Sequence, residues 1–175
     1  MRLSTTDYEY FKGEKFSDSY DLKLEDNLLY SRIEQILRIV SGKSVMHIGC
    51  CDHVPLIEKK IQQERWLHGL FDKDCRDVLG IDINQEAVDF VNTKKLAKEA
   101  VYCADVTAAD FCEKVPKKNL DYVFLGEIVE HLDNPVLFLS ALKRNMDKYG
   151  FQGKYIITVP NAMSILRRQR YQGGV

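Results

Sequence analysis

"SVMHIGCCDHVPLI", Ser44–Ile57, decides the fold. A short apolar run ends on Gly49, and an apolar-periodic run begins at Val54 with Pro55 in its first turn. A buried strand, a glycine turn and a helix returning over the sheet form the first βα unit of a parallel sheet. Loops of this kind usually run apolar–apolar–acidic–apolar–Gly–x–Gly–x–Gly. Here only Gly49 is in place, with His47 at the acidic position and Cys51 and His53 at the other two glycine positions.

Outward from this unit the pattern repeats. "VLGIDI", "AVYCADV", "LDYVFLGE" and "GKYIITVP" read as four further strands. Between them, "VPLIEKKIQQERW", "NQEAVDFVNTKKLAKE", "AADFCEKV" and "NPVLFLSALKRNMDKYG" read as helices, the last with Pro135 in its first turn. "LHGLFDKDCRD" reads as polar and irregular. Upstream, "LEDNLLYSRIEQILRIV" places Leu24, Leu28, Leu29, Ile33, Ile36, Leu37 and Val40 on one helical stripe, stopped at Ser41–Gly42. Strands alternating with helices predict an α/β fold, a doubly wound Rossmann-like parallel sheet covered on both faces. The expected organisation is an N-terminal arm and helix over residues 1–40 and a cofactor-binding domain over 41–175.

The chain has 175 residues, is 45% hydrophobic and 29% charged, and carries a net charge of −1. That balance gives no basic field for nucleic acid, and no apolar run approaches a membrane span. The N-terminus lacks a secretory apolar core, so the expected address is cytoplasmic. Five cysteines with no CxxC pair read as reduced thiols rather than a disulfide or zinc framework.

In doubly wound sheets ligands bind at the carboxyl ends of the strands. Those ends carry Gly49–Cys50, Asp82, Asp105 and Gly126–Glu127. A carboxylate at Asp82 can accept from both hydroxyls of a ribose, against the plainer role of a helix cap. Asp105 could accept from an exocyclic adenine amine while Val106 donates its backbone N–H to the ring; the plain alternative is again a turn cap. The loop lacks GxGxxG, and His53 and Val54 crowd the place of a pyrophosphate. A nicotinamide dinucleotide is therefore disfavoured, and a cofactor without pyrophosphate fits better.

Taken together, "VMHIGCCDH", "VLGIDINQEAVDFV", "VYCADV", "LDYVFLGEIVEHLDNPVLFLSAL" and "GKYIITVPNAMS" resemble the motifs of class I S-adenosylmethionine-dependent methyltransferases. The resemblance covers about Ser31 to Ser164 and is strongest in "GEIVEHLDNP". It implies strand order 3-2-1-4-5 and S-adenosylmethionine as cofactor. Gly49 and Cys50 would contact the methionine moiety, with His47 where the family usually has an acid that helps to hold that end. Asp82 would contact the ribose, and Ile83, Asp105 and Val106 the adenine. Gly126 and Glu127 would border the methyl, and Glu127 or His131 would serve the acceptor. No metal is expected; were one used, Glu127, Glu130 and His131 would be its ligands, as in similar motifs of small-RNA 2′-O-methyltransferases. His68 beside Trp66 could close over the cofactor or be a structural histidine.

The family's usual antiparallel strands after the fifth are missing from "NAMSILRRQRYQGGV", so the domain is expected to be C-terminally shortened. The exposed fifth-strand edge leaves room for a partner chain, a homodimer included. "LRRQR" reads as a solvated helix face. The expected activity is methyl transfer to a small-molecule or glycan-like acceptor, with a hydroxyl as the acceptor group. The alternative is a weakly cofactor-binding scaffold on the same fold.

Overall fold

Val45–Ile48 and Val78–Ile81 are buried throughout, which is why β1 (Ser44–Ile48) and β2 (Asp77–Asp82) read as unbroken apolar runs. The computed structural model describes residues 5–16 and 31–160. With β3 (Tyr102–Cys103), β4 (Tyr122–Gly126) and β5 (Lys154–Thr158) they form one sheet in the order β3-β2-β1-β4-β5, every pair parallel. This is the doubly wound, Rossmann-like α/β fold that the alternating pattern predicts.

Alternate strand residues feed opposite faces. Met46, Ile48, Leu79, Ile81, Val123 and Leu125 meet Phe111, Leu142 and Met146 on one face. Val45, Val78 and Phe124 meet Ile36, Val40 and Phe71 on the other. Phe71 and Phe111 are fully buried, and truncating either to alanine costs about 3–5 kcal/mol.

The helices are α1 (Thr5–Phe11), α2 (Arg32–Val40), α3 (Val54–Gln62), α4 (Leu67–Asp74), α5 (Gln85–Thr93), α6 (Phe111–Lys114) and α7 (Pro135–Tyr149). Their ends follow local chemistry. Asn84 caps α5 by accepting from Ala87 N–H at 3.2 Å, and Asn134 caps α7 by accepting from Leu137 N–H at 3.0 Å. Gly150, at φ +82°, closes α7.

Two expectations fail locally. The stretch expected to be irregular is α4, whose buried face includes His68 and Asp72 beside Phe71; two polar residues on that face hide the helical period. The helix expected through residue 99 stops at Thr93, and Lys95 sits at φ +53° just beyond it. "LEDNLLY" and "LRRQR" lie outside the described residues.

The chain divides into two compact units, Met1–Gln35 and Ile36–Val175. In the first, Gly13 N–H donates to Tyr10 O at 3.1 Å after α1, and Lys15 pairs with Glu9 at 2.5 Å. In the second, the amino ends of the strands are tied by Asp121. Its carboxylate accepts from Ser44 N–H at 2.8 Å and from Arg76 at 3.1 Å, and its carbonyl accepts from Lys154 N–H at 3.0 Å. Among the described residues no helix is long and apolar enough to cross a membrane.

Candidate functional site

The strand order reverses between β1 and β4, so the loops leaving their carboxyl ends lie side by side. Gly49 turns the first loop at φ +68°, and its N–H donates to Ile81 O at 2.8 Å. A Cβ on Gly49 would stand 2.8 Å from Ile128 Cδ1, in the loop after β4. Glycine is thus required for its backbone and for the approach of Ile128.

Asp82 joins two loops. One carboxylate oxygen accepts from Cys51 N–H at 2.9 Å and the other from Asn84 N–H at 3.0 Å. Asp82 is 9% exposed, and each oxygen retains acceptor capacity beyond these single bonds. Asn84, not Asp82, caps α5.

A cleft of about 210 Å³ opens here, lined by Gly49, Asp82, Ile83, Asp105, Val106 and Ile128 among others. Ile83 is 73% exposed and offers an apolar face at the rim. Asp105 folds its own loop, its Oδ1 accepting from the Thr107 N–H at 2.8 Å and hydroxyl at 2.7 Å. The N–H of Val106 meets no backbone carbonyl among the described residues. Buried Asn145 of α7 holds this loop from below, donating to Val106 O and Ala108 O, both at 2.8 Å. Ile128, Leu132, Phe138 and Asn145 were not expected at the site. Only Asn145 carries a signal in the sequence, as a polar residue within the stripe Phe138, Leu142, Met146, Tyr149.

His47 faces away from the cleft. Its ring packs on Phe71 and Phe124, with centroids 5.0 and 5.2 Å away, and its Nδ1 lies 3.3 Å from His68 Nδ1. One ring must donate and the other accept, so the two cannot both be protonated at Nδ1. Burial, then the neighbouring His68, holds His47 well below its ordinary range. Burial lowers His68 too, against the pull of Asp72. His68 is thus a helical core residue rather than a cover over the cofactor.

At the end of β4, Glu127 stands at φ +57° with its N–H donating to Thr158 O at 2.9 Å. A Cβ on Gly126 would meet the Phe124 ring at 2.7 Å. A 3₁₀ turn, Val129–His131, follows; His131 is exposed, with Nε2 3.9 Å from Glu130 Oε1. The cleft takes Ile128 and Leu132 from either side of this turn, not Glu127, Glu130 or His131. Nor do these three gather as a ligand set. Among the described residues that arrangement belongs to Cys50, Cys51 and Asp82, whose ligand atoms lie within 4.8 Å of one another.

A larger hollow, about 340 Å³, lies beside α4 and is lined by Trp66, Leu70, Asp72, Lys95 and Lys98 among others. The strand-end cleft is the better functional site despite its smaller volume, because loop acceptors and donors converge on it.

The family described as "Methyltransferase domain" matches residues 64–151. That stretch holds Asp82, Asp105 and "GEIVEH" and begins after the Gly49 loop. No curated protein matches the chain. A solved SAM-dependent methyltransferase from Aquifex aeolicus is 21% identical, with 65% of this chain and 57% of that one covered at a TM-score of 0.41. The plantazolicin methyltransferase BamL, solved with a triazolic desmethylPZN analog and SAH, is 18% identical, with coverages of 65% and 41% and a TM-score of 0.42. The chain spans about half the length of these solved proteins. By the family match over half its length, the chain belongs to the methyltransferase-domain family, the class I S-adenosylmethionine-dependent methyltransferases that its motifs resemble.

Proposed function

We propose that this chain binds S-adenosylmethionine in the strand-end cleft and methylates a small-molecule or glycan-like acceptor at a hydroxyl. The observation that carries the reading is Asp82, a buried carboxylate fixed by one N–H on each oxygen at the rim of an apolar cleft. Its remaining acceptor capacity suits the two hydroxyl donors of a ribose, and the donor set of the cleft fits the rest of a nucleoside. Ile83 would cover one face of the base, while Asp105 and the Val106 N–H would meet its edge. At about 210 Å³ the cleft is below the roughly 300–1,000 Å³ of a full small-molecule site, so it suits the nucleoside end. Gly49 and Cys50 would take the methionyl end.

When bound, the cofactor supplies an electrophilic sulfonium methyl. The protein's part is alignment of the acceptor and care of its proton. His131 Nε2 or the Glu127 carboxylate would hold that proton. The support is placement: Glu127 directly precedes, and His131 lies within, the Ile128–Leu132 segment whose two ends line the cleft. A weakly cofactor-binding scaffold is the second reading, favoured by Ile128 lying over Gly49 and by a core histidine at the usual acidic position.

Calorimetric titration with S-adenosylmethionine and S-adenosylhomocysteine, with NAD as control, tests both. Binding of the first two, weakened at least roughly tenfold in Asp82→Ala by loss of charge-assisted hydrogen bonds, is expected. Binding without turnover across an acceptor screen favours the scaffold, and preference for NAD defeats both readings.

A further inference from the structure

The Gly49 loop departs from its family's pattern in a chemically specific way. Cys51, at a glycine position, adjoins Cys50, and the two thiols have Sγ atoms 3.9 Å apart. Two thiolates bound tetrahedrally to zinc at about 2.3 Å stand about 3.8 Å apart, so the pair is already spaced as one edge of such a site. An oxygen of Asp82 completes the set, all three ligand atoms lying within 4.8 Å of one another. Cys51 N–H also donates to Asp82 Oδ2 at 2.9 Å, which fixes the carboxylate beside the thiols.

From this geometry we propose that Cys50, Cys51 and Asp82 form a site for one thiophilic divalent cation, of the zinc or cadmium class, whose occupancy excludes the nucleoside. Two sulfurs and one carboxylate select such ions over magnesium or calcium. Three protein ligands leave a fourth position to solvent. Cys50 is buried, whereas Cys51 is half-buried and opens a path from solvent. Loading replaces the thiol protons, released to solvent, with the cation.

Exclusion follows from the double use of Asp82 and rests on the proposed cofactor site. A carboxylate drawn onto a cation cannot also present both oxygens to a ribose diol. The cation would thus act as an inhibitor whose effect a chelator reverses.

The test is a titration of the full, reduced chain with Cd²⁺ alone, followed through the ultraviolet thiolate-to-cadmium absorption band. The expected result is a band complete at one equivalent, kept in Cys103→Ser and lost in Cys51→Ser, with circular dichroism showing that both variants fold. No band, or an undiminished band in folded Cys51→Ser, overturns the site. Zn²⁺ at about ten times its own dissociation constant should raise the apparent Kd of S-adenosylhomocysteine about tenfold. An unchanged Kd overturns the exclusion. A chain that takes cadmium as described yet never binds S-adenosylhomocysteine defeats the cofactor reading and leaves the metal site standing.

Discussion

Gly49 shows how much one missing side chain decides. An alanine there would have to hold φ +68°, which costs about 1–2 kcal/mol, and would press its Cβ to 2.8 Å from Ile128 Cδ1. Gly49→Ala should therefore lose at least that much stability in urea unfolding. Adding Ile128→Ala should return the steric part and not the backbone part; full recovery would show that φ is not strained. The placement of Gly49, Asp82 and Asp105 at strand ends was legible in the sequence, because the apolar runs show where each strand stops. Ile128 was not, since its contact depends on two loops distant in sequence meeting where the strand order reverses. The same holds for the approach of the Cys50 and Cys51 thiols to Asp82, which joins two loops distant in sequence.

Helix α4 brings His68 against His47 of β1, and the pair makes stability depend on pH in a defined window. Both rings are held neutral in the fold, while the unfolded chain takes up protons near the ordinary histidine value of 6.5. The unfolded state binds more protons, so stability is full above about pH 6.5 and falls below it, toward the lowered folded values. Each histidine adds up to about 1.4 kcal/mol per pH unit to that slope. Denaturation midpoints at about pH 7.5 and about pH 5.5 should differ clearly in the native chain and less in His47→Phe. Equal midpoints in the native chain would sink the idea. Helix α7 permits a second prediction. Asn145→Ala strips two carbonyls, Val106 O and Ala108 O, of their donor and should cost about 1–3 kcal/mol. It should also weaken S-adenosylhomocysteine, since the loosened loop forms one wall of the cleft. Affinity unchanged in the folded variant would remove Asn145 from the positioning machinery. The strands and α7 were legible through apolar runs and caps; α4 was not, because its buried face carries His68 and Asp72.

Across the whole sheet, the Asp121 ties and the cleft sit at opposite ends. The carboxyl ends hold the cleft, while the amino ends hold Asp121 with Ser44, Arg76 and Lys154. Gly153 belongs to the second group: a Cβ there would stand 2.2 Å from Asp121 O, a backbone atom that no rotamer change can move. Gly153→Ala should lower the thermal midpoint sharply yet leave the S-adenosylhomocysteine Kd of the folded fraction unchanged. A shift in Kd would show that the two ends are coupled. The order of the sheet was legible only through family likeness, since local patterns give strands but not their neighbours. Gly80 of β2 carries a last consequence. It lies opposite His47, and a Cβ on it would come within 2.6 Å of His68 Cε1 and 2.8 Å of Val101 Cγ1. Any side chain at Gly80 would therefore have to displace both the His68 ring and the Val101 methyl, and His47 would lose the ring it faces, so none of these positions can change alone.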